Sequence, residues 1–96
     1  LLLGAPLVGA EDEVGIRATA LSGGAPFTVY FAARVPPQME PRPTVEWDFG
    51  DGEVSHDPRT YHTFVEPGLY TVQLTVWSAD GSAQTAAVQV LAHYGG

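Results

Sequence analysis

The chain has 96 residues, with four arginines, no lysine, no cysteine and eleven carboxylates, for a formal charge of −7. That length allows one domain with a single modest core, and without cysteine any sandwich must close by packing alone. So acidic a surface repels phosphate backbones and anionic lipid, which excludes nucleic acid and a basic membrane-binding patch as natural partners.

Leu1 to Ala10 is apolar and uncharged, and Glu11-Asp12-Glu13 then changes the character abruptly. Such a stretch is too short to span a bilayer as a helix. Val8-Gly9-Ala10 has the small-residue look of a signal cleavage site, and the alternatives of signal remnant, core segment and inter-subunit strand stay open. Leu1, Leu2, Leu3, Leu7 and Val8 are expected to find an apolar partner on this domain or on a neighbour. Domain boundaries are read as an apolar segment and acidic linker over 1–13, a globular unit over 14–92 and a short tail over 93–96.

Val14, Ile16 and Ala18 alternate with Gly15 and Arg17, which predicts a first strand. Ser22-Gly23-Gly24-Ala25-Pro26 reads as a turn, because Gly permits and Pro fixes unusual backbone angles. Phe27, Val29 and Phe31 alternate with Thr28 and Tyr30, predicting a second strand. Residues 35–43 hold four prolines, Pro36, Pro37, Pro41 and Pro43, each without an N–H for a ladder. That stretch reads as a stiff loop or, at most, an edge strand. Val45, Trp47 and Phe49 alternate with Glu46 and Asp48 and run straight into Gly50-Asp51-Gly52, a strong hairpin signal. Glu53-Val54-Ser55 should return as its partner. Tyr61–Phe64 reads as a short strand ended by Glu66-Pro67-Gly68. Tyr70, Val72, Leu74 and Val76 then give the cleanest alternation, opposite Thr71, Gln73, Thr75 and Trp77. Ala79-Asp80-Gly81-Ser82 turns the chain into a last strand carrying Ala86, Val88 and Val90. About seven short strands with turn signals between them predict an all-β, two-sheet antiparallel sandwich. Its core should gather Trp47, Phe27, Val29, Phe31, Tyr70, Val72 and Leu74.

Trp47-Asp48-Phe49-Gly50-Asp51-Gly52 resembles the signature of the polycystic-kidney-disease (PKD) domain, an immunoglobulin-like module of cell-surface and secreted proteins. The likeness extends upstream to Gly24–Phe31 and downstream through His62-Thr63-Phe64 and Pro67-Gly68-Leu69-Tyr70-Thr71-Val72, with Asp80-Gly81 before the last strand. It covers the chain from about Val14 to Leu91. The resemblance implies an immunoglobulin-like topology and a structural role for Trp47, Asp48, Phe49, Gly50, Asp51, Gly52, His62, Gly68 and Tyr70. It also implies attachment to a larger protein.

Chemistry-bearing motifs are few. Asp48-Phe49-Gly50 spells the kinase magnesium motif, but the glycine-rich loop, the strand lysine and the catalytic loop that give it meaning are missing. Asp48 and Asp51 instead suit Asx-type acceptors of backbone N–H groups within their own turn. Some PKD domains bind calcium through a Ser-x-Asp-x-Asp-Gly stretch upstream of the tryptophan; here Ala33–Glu40 offers a single carboxylate, so that site is not carried over. The separations of His56, His62 and His93 match no standard zinc pair. Glu46 and Asp48 share an outer strand face, with no burial to tune an acid–base pair. No catalytic group, metal or cofactor is therefore expected. Tyr30 and Trp77 point outward by alternation and belong to strands expected in opposite sheets, so they cannot form one platform. Contact with a neighbouring loop or protein is favoured there over sugar stacking. The functional expectation is a non-catalytic, extracellular protein-interaction or spacer module. Its alternatives are a structural subunit docking through Leu1–Val8 and a carbohydrate-binding accessory using Tyr30 or Trp77.

Overall fold

The computed structural model describes residues 13–94. The expected docking residues Leu1, Leu2, Leu3, Leu7 and Val8 lie outside the described residues. Eight strands follow one another: β1 (Gly15–Ala18), β2 (Ser22–Gly24), β3 (Phe27–Arg34), β4 (Thr44–Asp48), β5 (Val54–Ser55), β6 (Arg59–Phe64), β7 (Gly68–Trp77) and β8 (Ala83–His93). They form two sheets, ordered β1-β3-β6 and β2-β8-β7-β4-β5. All pairings are antiparallel except β2 with β8. The result is an immunoglobulin-like sandwich.

The period-2 runs explain the layers. Val29 and Phe31 from β3, Phe64 from β6, Val45 and Trp47 from β4, and Val72, Leu74 and Val76 from β7 all face inward and are buried. Trp47 stands at the centre with no exposed surface. Its ring lies 5.4 Å from Phe31, and its indole N–H donates to the Asp57 carbonyl at 2.8 Å. That bond matters, because a buried indole N–H without an acceptor would carry its full desolvation cost. Phe27 and Tyr70, expected among the best-buried residues, are only half-buried because they sit near strand ends.

One local reading is corrected by long-range pairing, and the proline-rich loop has an internal turn that its sequence does not announce. Ser22–Gly24 is not a turn but a short parallel strand, in register with Leu91–His93 at the far end of the chain. Gly23 is required there for space. A Cβ on it would lie 2.4 Å from the Phe27 ring, well inside contact distance. Within the proline-rich stretch, Pro37–Met39 forms a single 3-10 turn, closed by Met39 N–H to the Pro36 carbonyl at 3.0 Å. It places Met39 in the buried core cluster, so the loop contributes to the core instead of merely bridging the sheets. An unbranched thioether suits such an irregular gap.

Candidate interaction surface

The signature turn is built from the core outward. Trp47 in β4 and Phe49, one residue past its end, stack with an interplanar angle of 3°. On the other side of Phe49, the His62 imidazole lies flat at 4.0 Å. Its Nε2 meets Asp51 Oδ2 at 2.7 Å. Asp51 Oδ1 accepts the Glu53 N–H at 3.1 Å, and Asp48 Oδ1 accepts the Gly50 N–H at 3.0 Å. Gly50 and Gly52 take φ of 82° and 97°, angles that a Cβ penalises. Gly68 opens β7 opposite Ala92, and Tyr70 donates its hydroxyl proton to the Glu66 carbonyl at 2.6 Å. The signature residues other than Trp47 thus gather toward one end of the sandwich, with Trp47 behind them in the core. Among the described residues no three His, Cys, Asp or Glu side chains form a metal-binding group.

The two outward aromatics fall on opposite sheets. Trp77 ends β7 between Thr44 and Ala83 and is half-buried on a face that also carries Glu46, Asp48, Leu69 and Leu91 among Thr, Gln and Ala residues. Tyr30 is the more informative position. Register pairs it with Tyr61, and the rings lie 4.8 Å apart at 53° to each other. Tyr61 is 72% exposed. One row along, Arg17, Ala32 and Arg59 lie side by side across β1, β3 and β6, with both arginines exposed. One row the other way, the Thr28 and Thr63 hydroxyls bond at 2.7 Å. Arg34 shares this sheet, so it carries three of the four arginines of an acidic chain. Sequence reasoning found Tyr30 but missed Tyr61, Arg17 and Arg59. The signal that unites them is the β3–β6 register, which alternation within single strands does not contain.

At the free side of β6 the surface is concave. A hollow of about 480 Å³ is lined by Asp51, Glu53, Tyr61, His62, Thr63, Val65, Glu66 and Tyr70. The charge of its rim is opposite to that of the arginine row. Asp80, in the far β7–β8 turn, is the one group among the described residues whose acidity is clearly displaced. Hydrogen bonds from the Ser78 hydroxyl first, then from the Ser82 N–H and hydroxyl, lower it to about 2. No helix among the described residues is long and apolar enough to cross a membrane.

Comparison with known proteins agrees with this architecture. The sequence profile of the PKD domain matches residues 13–90. Polycystin-1 of Homo sapiens is 34% identical over an alignment of 91 residues that covers 85% of this chain. The chain spans only 2% to 4% of the length of the curated relatives it matches. Among solved structures, the PKD1 domain of the Vibrio cholerae metalloprotease PrtV superposes with a TM-score of 0.70 at 20% identity, covering 83% of this chain and 94% of that one. A structure described for promiscuous carbohydrate-binding modules of the β-sandwich superfamily reaches 0.73 at 20% identity, over 85% of this chain and 34% of the other. At those identities the likeness is one of fold.

Proposed function

The chain belongs to the PKD domain family, and on that premise we propose that it is a non-catalytic protein-interaction and spacer module of a larger extracellular or surface protein. The module itself is taken as 14–92, with 1–13 as linker and 93–96 as tail. The observation that supports this reading is the outer face of the β1-β3-β6 sheet, where a tyrosine pair is flanked by Arg17 and Arg59. Tyrosine and arginine are the residues that dominate binding energy at protein interfaces, since they offer large rigid contact area and forked donors. The outer face of the opposite sheet carries the exposed Leu69 and Leu91 and a half-buried Trp77, with no arginine among its strands. A carbohydrate-binding role draws its support from the exposed Tyr61 ring, though two rings at 53° present no common plane for a sugar. Assembly through Leu1–Val8 is a further reading and concerns residues outside those described.

The test is an array of extracellular proteins and glycans probed with the isolated module, alongside a Tyr30→Ala/Arg17→Ala variant. Neither of those residues lines the acidic hollow. Protein binding lost in the variant supports the reading. Binding confined to glycans moves it to the carbohydrate alternative, and turnover of any arrayed substrate overturns it.

A further inference from the structure

We propose that the free edge of β6 accepts an extended, basic polypeptide segment as an added strand. The proposal rests on the reading of the chain as an interaction module and names where, and with what chemistry, one partner docks. β6 ends the three-stranded sheet, paired with β3 on one side only. The Ala33 N–H donates to the Pro58 carbonyl at 2.8 Å in the same register as the β3–β6 ladder. Hydrogen-bonded pairs recur at every second residue of an antiparallel ladder, so Thr60, His62 and Phe64 aim their backbone groups at β3. The backbone groups of Tyr61 and Thr63 therefore aim the other way, and among the described residues they have no ladder partner.

Both residues also line the hollow, as does His62 between them. The edge is thus not a flat, open strand but one side of a trough that the Asp51–Glu53 turn and Glu66 also line. A trough at a strand edge suits a single extended segment: its backbone pairs with Tyr61 and Thr63, and alternate side chains turn into the hollow. Charge selects which segment. Asp51 is already bonded to His62 and to the Glu53 N–H, but the Glu53 and Glu66 carboxylates are exposed and no cation pairs with them among the described residues. Lysine or arginine at alternate positions of the incoming strand would meet them. Val65, 63% exposed at the end of β6, gives an apolar contact beside the charges. Natural sandwiches commonly blunt such edges with lysine, proline or a bulge, and the free edge at Tyr61 and Thr63 carries none of these.

The probe is a synthetic peptide of alternating lysine and valine, long enough to pair with all of β6, titrated into the isolated module at low ionic strength. Amide exchange at Tyr61 and Thr63 should slow on binding, while that of β1 and β2 stays as it was. Glu53→Gln/Glu66→Gln, both at the surface, should weaken binding about five-fold, the scale of two exposed ion pairs. A peptide N-methylated at every residue, which has no N–H left for the ladder on either edge, should not bind. Equal binding of the methylated peptide would overturn the proposal in favour of simple charge attraction. No binding, or protection of the edge by self-association instead of the peptide, would overturn it too. Because Tyr30 and Arg17 stay intact throughout, loss of the trough interaction leaves the tyrosine-face test unaffected.

Discussion

Two Asp-Gly turns close hairpins at opposite ends of this sandwich, and they share their local chemistry. In each, the aspartate accepts a backbone N–H two residues on: Glu53 for Asp51, Ser82 for Asp80. In each, the following glycine lies in the left-handed region, Gly52 at 97° and Gly81 at 92°. They differ in what stands behind them. The second oxygen of Asp51 reaches His62, whose ring lies on Phe49, whose ring lies on Trp47, so the first turn is the outer end of a stack that begins in the core. Asp80 has only Ser78 and Ser82, both from its own turn. The same dipeptide thus makes a reversal in one place and a strut in the other. Tertiary contact, not the turn sequence, decides which.

The largest expected break in this comparison is at glycine. Gly50→Ala places a Cβ 2.6 Å from the Thr71 carbonyl oxygen in addition to its positive φ, whereas Gly81→Ala meets nothing within 4 Å. Gly81→Ala should cost about 1–2 kcal/mol, the left-handed penalty alone. Gly50→Ala should cost more than about 3 kcal/mol, since backbone must also move. Equal losses in urea unfolding would show that the two turns are anchored alike.

A smaller effect is expected at the strut itself. His62→Ala removes the ring over Phe49 and the bond to Asp51, and should lower stability by about 2 kcal/mol. The far turn has no counterpart: Ser82→Ala should leave the urea midpoint close to wild type. A His62→Ala midpoint that also stays put would mean the stack contributes nothing to holding the turn.

How much of this was legible beforehand follows the same line. The 44–52 strand and its turn were readable because alternation and Asp-Gly are local signals, and the same holds for β7 and the reversal at Asp80-Gly81. Ser22–Gly24 was not, since its strand character is supplied by Leu91–His93 and not by its own serine and glycines. Met39 carried no period that could announce its burial. At the surface, Tyr30 was readable as outward, but its pairing with Tyr61 depends on register between strands far apart in sequence.

The smallest effect is confined to acid. Asp80 is held at about 2 when folded against an ordinary value of 3.8, so its contribution is present above 3.8 and lost as pH falls through about 2. The carboxyl is fully exposed, which keeps the effect small. Asp80→Asn should flatten the acid limb of the stability profile in that window by slightly lowering the plateau above it, with stability below about pH 2 unchanged. An acid limb as steep as that of the wild type would show that the turn's hydrogen bonds contribute nothing through this carboxylate.

The parallel pairing of β2 with β8 has a kinetic consequence. It joins residues near the two ends of the described chain, so the loop it closes contains almost every other element, and that closure costs more entropy than that of a hairpin. The β7–β8 hairpin, joined by a short turn, can zip from its own end. Ser22–Gly24 can only dock once β8 is in place to receive it. The small, three-residue strand is therefore the last piece of ladder to form on folding and the first to be released on opening, and Gly23, fitted against Phe27, is where that latch engages.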